Sequence, residues 1–244
     1  MKIFSIIEEK SKAGKKQFAV LIDPDKPSDD ELLSLINESE NSNVDYFFVG
    51  GSLLTNDCFD RCISLIKKNS SIPVVLFPGN TLQMSKKADA LLFLSLISGR
   101  NAEMLIGRHV IAAPYLKLNK LEVIPTGYML IDSGKTTTAS YMSNSIPIPA
   151  DKTDIALCTA MAGEMLGLKT IYMDAGSGAE STISSKMIES VKNNITVPLI
   201  IGGGIRTPEK AKEIAEAGAD IVVVGNILEK NSNLIKRISE AVHS

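Results

Sequence analysis

The feature that most constrains the fold is a series of eight apolar segments, rich in strand-forming residues, that spans the chain. Each segment is continuously hydrophobic rather than alternating, as expected for parallel strands covered on both faces. The segments occupy residues 18–22, 44–50, 73–77, 90–96, 122–131, 170–173, 198–202 and 220–225. Helix-like stretches separate most of them, and no linker divides the chain. Eight such units in 244 residues favour one α/β domain over residues 1–244, a TIM-type (β/α)8 barrel, rather than an open doubly wound sheet.

The segments between the predicted strands carry helix signals, with one exception. Ser28 and Glu31 have the spacing of a capping box, and Pro208 and Gly218 stand where a helix is expected to begin and end. In the third connection only NTLQMSKK follows Gly79, which leaves room for about two helical turns at most. We therefore predict a modified barrel whose third helix is missing or vestigial. The gap could admit a long hydrophobic ligand beside the segment ALLFLSLI; a merely compact connection is the alternative.

Composition excludes several classes of function. The 26 basic and 28 acidic side chains are too evenly balanced for a dedicated nucleic-acid surface. No apolar run approaches the roughly 18 residues that would suggest a membrane-spanning helix, and the N-terminal segment lacks a signal-peptide pattern. Three cysteines, an odd count, argue against a disulfide framework. We expect a cytoplasmic protein that binds small molecules, does not insert stably into a membrane and, because its helices have apolar faces, forms a homo-oligomer.

Glycine-rich segments follow the last two predicted strands. The seventh strand runs into GGGIRTPEKA and the eighth into GNILEK. In (β/α)8 enzymes these two loops, with a helix N-terminus, bind phosphate through backbone N–H groups, and glycine lets the backbone approach the anion closely. The sequence thus predicts a phosphate site, unless the glycines only make tight turns. The residues that suit it are Gly202, Gly203, Gly204, Gly225 and Asn226.

Two carboxylates are predicted at the same rim of the barrel, because each stands at the C-terminal end of a strand. Asp174 ends the sixth strand, where it could bind substrate hydroxyls, accept a proton or cap the next helix. Asp23 ends the first strand, and Ser52 follows the neighbouring second strand. A carboxylate and a hydroxyl are hard oxygen ligands of the kind that Mg²⁺ takes, although DPDK could also be a plain turn.

The remaining chemistry-bearing residues lack a recognisable motif. Cys58 and Cys62 have no partners at zinc spacing and are expected to be small buried apolar residues. His109 lies in a helix-like stretch and His243 at a terminus expected to fray, both without the context of a catalytic triad.

Seven segments carry a resemblance to a known family, and in chain order they are LIDPDK, FFVGGS, SGRN, PTGYML, YMDAGSG, GGGI and VVVGN. They resemble the geranylgeranylglyceryl phosphate synthase family, whose bacterial branch includes the PcrB-type heptaprenylglyceryl phosphate synthases. The resemblance implies a modified TIM barrel that joins sn-glycerol 1-phosphate to a polyprenyl diphosphate, releases diphosphate with the help of Mg²⁺ and forms an ether-lipid precursor. Geranylgeranyl diphosphate is the expected donor, although the sequence leaves the prenyl length open.

The resemblance also implies roles for individual residues. Asp23 and Ser52 would be Mg²⁺ ligands. Mg²⁺ and Arg100 could neutralise the leaving diphosphate, and Asp174 is the candidate base or orienting group for the glycerol hydroxyl. Further residues at matching rim positions are Ser98, Asn101 and Tyr128, of which Tyr128 is the alternative acceptor-side group. Glycerol phosphate would contact Tyr172, Met173, Asp174, Ala175, Gly176, Ser177, Gly178, Gly203, Gly204, Gly225 and Asn226.

Two positions depart from the family pattern. Leu21 stands where some members carry a lysine, which leaves open which cation assists the phosphate and whether Lys26 can replace it. Asp174 stands where many members carry glutamate, which shortens the carboxylate arm by one methylene. Two other functions would share the phosphate loops. One is an isomerase or cyclase of phosphoribosyl compounds, which needs no long apolar groove, and the other is a non-catalytic barrel that binds phosphorylated ligands.

Overall fold

In the computed structural model the eight predicted strands form and close into a parallel barrel in chain order, with β8 paired back to β1. The structure describes residues 2–244, the side chains of residues 229 and 230 excepted. The predicted barrel class is confirmed. The strands are β1 (Gln17–Ile22), β2 (Tyr46–Val49), β3 (Val74–Leu76), β4 (Ala90–Leu96), β5 (Glu122–Leu130), β6 (Thr170–Asp174), β7 (Leu199–Gly202) and β8 (Ile221–Val224).

Helices surround the barrel and begin where the sequence signals predict. The Ser28 side chain accepts a hydrogen bond from the Glu31 N–H and the Glu31 carboxylate accepts one from the Ser28 N–H, which confirms the capping box; Pro208 opens a helix capped by Thr207. The helices are α1 (Ile3–Lys12), α2 (Asp29–Glu40), α3 (Phe59–Asn69), α4 (Arg108–Asn119), α5 (Thr138–Ser143), α6 (Thr153–Met165), α7 (Ser185–Lys192), α8 (Pro208–Glu216), α9 (Asn226–Lys230) and α10 (Leu234–His243). A π-helical turn, Glu103–Gly107, leads into α4.

The third connection has no helix. Residues 77–89, all of which the structure describes, run from β3 to β4 through turns alone. The prediction that the barrel lacks the helix between β3 and β4 is therefore confirmed. The outer ring passes from α3 directly to α4, and a gap lies beside β4.

Side chains that alternate along each strand separate two cores. Inward-facing residues such as Phe48, Ile124 and Ile200 fill the barrel, while outward-facing residues pack against the helices. Ile3 and Ile7 of α1 join the inner core, so α1 closes the N-terminal end of the barrel. The opposite end, at the C-terminal ends of the strands, is where a site can form.

The C-terminal helix is held more firmly than the sequence suggested. His243 ends α10, and its Nε2 lies 2.9 Å from Asp45 Oδ2. The helix also buries Ile235, Ile238 and Val242 against the barrel layer. The expectation that His243 lies at a frayed end is wrong, because an amphipathic helix and a carboxylate partner anchor it. Among residues 2–244, no helix is long and apolar enough to cross a membrane.

The cysteines are free and differ in environment. Cys62 is buried on α3, as expected, whereas Cys58 is half-buried and Cys158 exposed. The Cys58 thiol donates to the Pro24 carbonyl at 3.0 Å. No cluster of three or more His, Cys, Asp or Glu side chains that could hold a metal occurs in the described part of the chain.

Candidate active site

A cavity of about 490 Å³ opens at the C-terminal ends of the strands. Its volume lies within the range of roughly 300 to 1,000 Å³ typical of small-molecule sites. Glycine-rich loops line one end of it and apolar side chains of β4 and α4 line the other. The cavity therefore suits a ligand with an anionic end and a hydrophobic end.

The loops after β6, β7 and β8 form the polar end of the cavity. Gly203 and Gly204 have positive φ angles of 87° and 74°. A Cβ on Gly203 would lie 2.6 Å from the Gly176 nitrogen, so the loops after β6 and β7 meet backbone to backbone. Asn226 Nδ2 donates to Ser177 Oγ at 3.0 Å and joins the β8 loop to them. The predicted residues that line this end are Gly176, Ser177, Gly178, Gly203, Gly204, Gly225 and Asn226.

Three of the residues expected to contact substrate do not line the cavity. Met173 and Ala175 are buried in the core between barrel and helices, because neighbouring side chains of a strand point to opposite faces. Gly202 is screened by Tyr172, whose hydroxyl would lie 2.5 Å from a Cβ at that position. Met173, Ala175 and Gly202 thus lie behind the cavity wall, whereas Tyr172 and Asp174 line the cavity.

Asp174 is buried at the mouth of the barrel with two hydrogen-bond donors. Tyr128 Oη donates to its Oδ2 at 2.6 Å, and the Gly176 N–H donates to its Oδ1 at 2.7 Å. Burial raises the pKa of Asp174, and the two hydrogen bonds only partly offset that rise. Ser184 caps α7 by accepting from the Met187 N–H, so Asp174 does not cap the next helix. The Asp174 carboxylate is therefore available to a ligand in the cavity.

Aromatic rings hold the Tyr128 side chain in place. Burial and the Asp174 charge keep the pKa of Tyr128 well above its usual value, so its hydroxyl stays protonated and donates. Its ring packs edge-on against Tyr172 with centroids 5.5 Å apart and against Phe77 at 5.7 Å. Tyr128 therefore orients one oxygen of the carboxylate.

Asp23 directly follows β1 and, like Asp174, lies at the C-terminal ends of the strands. Asp23 and Ser52 both line the cavity. Asp25 accepts a hydrogen bond from Thr55 Oγ1 at 2.9 Å, which ties the loops after β1 and β2 together. A Cβ on Gly51 would lie 3.2 Å from Asp23 Oδ1, so the glycine leaves space beside the carboxylate. One carboxylate and one hydroxyl beside open space fit Mg²⁺, which takes one or two protein ligands and completes its shell with water and phosphate oxygens.

Lys26 lies between this carboxylate and the loop after β8. Its Nζ is 3.3 Å from Asp23 Oδ2 and donates to Asn226 Oδ1 at 2.7 Å. Leu21 lines the same part of the cavity, and its carbonyl oxygen would lie 3.2 Å from a Cβ on Gly225. Lys26 thus brings positive charge close to the place where Leu21 offers none.

The polar side chains of the segment after β4 form hydrogen bonds with backbone groups and do not line the cavity. Arg100 Nη1 donates to the Gly99 carbonyl at 2.8 Å, and Asn101 Nδ2 donates to the Ser143 carbonyl at 2.8 Å. Ser98 Oγ accepts from the Leu130 N–H at 2.9 Å. None of Ser98, Arg100 and Asn101 lines the cavity. The structure therefore does not bring Arg100 to the cavity, because the segment turns back to join β5 and α5.

Two arginines that sequence reasoning missed do line the cavity. Arg206 follows the glycines of the β7 loop, and its Nη2 donates to the Ala179 carbonyl at 2.6 Å. Its place directly after GGGI was a usable signal. Arg108 begins α4 and also lines the cavity. Nothing in the helix-like sequence around Arg108 indicates that it lines a cavity.

The apolar end of the cavity follows the outer face of β4 into the gap. The π-helical turn, rather than α4 itself, packs closely against β4, so space remains between the strand and α4. The His109 ring packs edge-on against Phe93 with centroids 4.4 Å apart, and burial lowers its pKa, which favours the neutral imidazole. The residues that line this end include Leu91, Phe93, Met104, His109, Ala112 and Leu116.

The fold and the site together define a (β/α)8 barrel with glycine-rich loops at the C-terminal ends of its last strands and a cavity that continues into an apolar groove. The model of the PcrB family matches residues 6–242. This chain therefore belongs to the PcrB family.

Individual relatives agree over nearly the whole chain. The chain is 55% identical over 240 residues to the geranylgeranylglyceryl phosphate synthase of Chitinophaga pinensis, covering 98% of this chain and 95% of the relative. It is 51% identical over 238 residues to the synthase of the same name from Spirosoma linguale, covering 98% and 96%. The resemblance to this family and the enzyme class that it implies, a TIM-barrel prenyltransferase, are confirmed.

Solved structures agree as well. The crystal structure of (S)-3-O-geranylgeranylglyceryl phosphate synthase from Thermoplasma acidophilum in complex with sn-glycerol-1-phosphate has a TM-score of 0.94 and 35% identity, covering 100% of this chain and 99% of that one. Tryptophan synthase of Mycobacterium tuberculosis, with a TM-score of 0.63 and 13% identity, shares the fold alone.

Proposed function

We propose that this chain joins sn-glycerol 1-phosphate to a polyprenyl diphosphate in a Mg²⁺-assisted reaction that forms an ether bond and releases diphosphate. One observation carries the proposal: a single cavity joins the phosphate loops to an apolar groove, with Asp174 and Asp23 at its mouth. The name of the Thermoplasma acidophilum relative and its bound sn-glycerol-1-phosphate support the choice of acceptor. A phosphoribosyl isomerase or cyclase would leave the apolar groove without a ligand.

The acceptor would bind at the polar end. Its phosphate would accept hydrogen bonds from backbone N–H groups of the β7 and β8 loops, where glycines permit close approach. Its hydroxyls would then face Asp174, whose orientation Tyr128 fixes. As the acceptor oxygen forms its bond to the allylic carbon of the donor, the hydroxyl proton passes to the Asp174 carboxylate.

The donor diphosphate would lie against Asp23 and Ser52, the two residues that would hold Mg²⁺. Bound there, Mg²⁺ would neutralise the charge that develops on diphosphate as the allylic C–O bond breaks. Lys26, in contact with both Asp23 and Asn226, adds positive charge between the two anionic groups. Arg206 and Arg108 line the same cavity and replace Arg100 as candidate cations.

The prenyl tail would occupy the apolar groove between β4 and α4. Each buried methylene contributes about 0.8 kcal/mol, so the groove supplies binding energy away from the reacting carbon. Apolar walls also keep water from capturing the allylic cation before the acceptor does. We take geranylgeranyl diphosphate as the donor, in line with the names of the relatives.

Two broader expectations complete the proposal. The odd cysteine count suits a reducing compartment, and we propose a cytoplasmic location. Val110, Ile111 and Leu118 of α4 are exposed, and a homo-oligomer would cover such apolar side chains. Light scattering of the purified protein measures the assembly, and a monomer at all concentrations would contradict it.

The test is a coupling assay with purified protein. Labelled sn-glycerol 1-phosphate is incubated with prenyl diphosphates of increasing length, with and without Mg²⁺, and with sn-glycerol 3-phosphate as the matched control acceptor. We expect Mg²⁺-dependent transfer of label into an ether lipid, with a preference for geranylgeranyl diphosphate. An absence of product with every prenyl donor would contradict the proposal.

A further inference from the structure

The connection that replaces the third helix places a glutamine inside the protein. Gln83 is 0% exposed. Its Nε2 donates to the Gly51 carbonyl at 2.7 Å, and its Oε1 accepts from the Gly51 N–H at 3.1 Å and from the Gly79 N–H at 3.2 Å. One carboxamide thus pairs both polar groups of Gly51 and joins them to the loop after β3.

The two loops touch backbone to backbone at this point. A Cβ on Gly79 would lie 2.3 Å from the Gly51 carbonyl oxygen, and a Cβ on Gly50 would lie 2.0 Å from the Phe77 carbonyl oxygen. Gly50 has a φ angle of 154°. Glycines therefore allow the approach, and Gln83 supplies the hydrogen bonds that hold it.

Gly51 lies between the two residues that would hold the metal. Ser52 follows it directly, and a Cβ on Gly51 would be only 3.2 Å from Asp23 Oδ1. We propose that Gln83 is a positioning residue for this site, because it fixes Gly51, which lies beside Asp23 and directly precedes Ser52. The proposal rests on the proposed function, which assigns Mg²⁺ to Asp23 and Ser52. Gln83 does not itself line the cavity, so it acts through Gly51.

The short third connection then has a second consequence besides the apolar gap. The turns of residues 77–89, which stand where a barrel helix would, bring Gln83 into hydrogen-bond contact with the loop after β2. Residues that orient metal ligands from behind typically change metal affinity or activity by about 10- to 100-fold when they are replaced. We expect an effect of that size from the loss of Gln83.

The test compares two buried glutamines. Gln83→Met keeps the side-chain length and removes all three hydrogen bonds. Gln17→Met is the matched control, because Gln17 is also 0% exposed and accepts a hydrogen bond from Tyr46 Oη at 2.7 Å, but it begins β1 at the opposite end of the barrel. Binding of Mn²⁺, used as a probe for Mg²⁺, is titrated by electron paramagnetic resonance on the full chain with inorganic diphosphate present.

We expect Gln83→Met to weaken Mn²⁺ binding by about 10- to 100-fold and Gln17→Met to bind like the wild type. In the coupling assay the Mg²⁺ concentration for half-maximal rate should rise in Gln83→Met while the KM for glycerol phosphate stays unchanged. If Gln83→Met does not fold, Gln83→Asn takes its place; it adds no charge, withdraws the carboxamide from Gly51 by one methylene, and should weaken Mn²⁺ binding less.

Wild-type Mn²⁺ affinity in the Gln83 variant, or equal losses in both glutamine variants, would overturn the positioning role. A wild type that binds Mn²⁺ but couples no substrate would overturn the proposed function and leave the comparison of variants valid. A wild type that binds no Mn²⁺ with diphosphate would overturn the metal site and the role of Gln83 together.

Discussion

Replacing Asp174 with asparagine separates the shape of this side chain from its charge. The carboxylate is 7% exposed and accepts hydrogen bonds from Tyr128 Oη and the Gly176 N–H. Asparagine has the same size, can accept from the Gly176 N–H and can turn its NH₂ group to the Tyr128 oxygen, so the variant should fold. It cannot take the proton of the acceptor hydroxyl. General bases typically contribute about 10²- to 10⁴-fold, which raises the barrier by about 2.7 to 5.4 kcal/mol at about 1.36 kcal/mol per tenfold change.

The raised pKa of Asp174 supplies a second readout. Because burial raises the pKa of this carboxyl, the native protein holds its proton to higher pH than the unfolded chain does. The free energy of unfolding therefore falls as pH rises from the unfolded pKa through the folded one. In Asp174→Asn this decrease should be smaller. The wild-type kcat/KM should rise over the same pH range, because the Asp174 carboxylate forms there. In Asp174→Asn the pH profile of kcat/KM should lack this rise.

Coupling and hydrolysis are measured together in this experiment. Single-turnover coupling should fall in Asp174→Asn, while slow release of free prenol from the donor persists, because ionisation of the donor does not need Asp174. Asp174→Glu is the control and should retain substantial coupling. Near-wild-type coupling in Asp174→Asn would contradict the role of this residue and move the acceptor-side chemistry to Tyr128 or a bound water.

Three further predictions test other parts of the site. Asp23→Asn should remove most turnover and leave glycerol phosphate binding nearly intact by calorimetry; an unchanged rate at saturating Mg²⁺ would contradict the metal assignment. Gly204→Val should weaken glycerol phosphate binding, since φ is 74° and a Cβ would lie 3.0 Å from the Ser181 carbonyl oxygen; unaltered affinity in a folded variant would place the phosphate elsewhere. Tyr128→Phe removes a hydrogen bond that lowers the pKa of Asp174, so the acid limb of the kcat/KM profile should move to higher pH, and an unmoved limb would show that Tyr128 does not act on the carboxylate.

Barrel topology was predictable because it depends on features that a sequence displays directly. Continuous apolar runs mark parallel strands, and the few residues between Gly79 and Ala88 cannot hold a helix of ordinary length. Asp23 and Asp174 were found because a residue that ends a barrel strand lies at the rim whatever the packing. The glycine-rich loops after β7 and β8 were placed at the same rim for a similar reason, and Gly203, Gly204 and Gly225 do line the cavity.

Side-chain direction was less predictable. Met173 and Ala175 were expected at the cavity although they alternate with Tyr172 and Asp174, and the period of a strand could have excluded them. Arg100 could not be placed from sequence, because its direction depends on carbonyl groups that only the folded loop brings near it. The role of Gln83 could not be predicted for the same reason. Its partners are backbone groups of Gly51 and Gly79, which only the folded loops after β2 and β3 bring near it.

The most direct measurement follows the oxygen atom that forms the ether. sn-Glycerol 1-phosphate labelled with ¹⁸O in its 3-hydroxyl is incubated with the wild-type protein, Mg²⁺ and geranylgeranyl diphosphate, and the lipid and the released diphosphate are analysed by mass spectrometry. Attack by the acceptor hydroxyl on the allylic carbon predicts that the lipid keeps the label and the diphosphate has none. An unlabelled lipid, or no coupled lipid at all, would contradict prenyl transfer in this cavity.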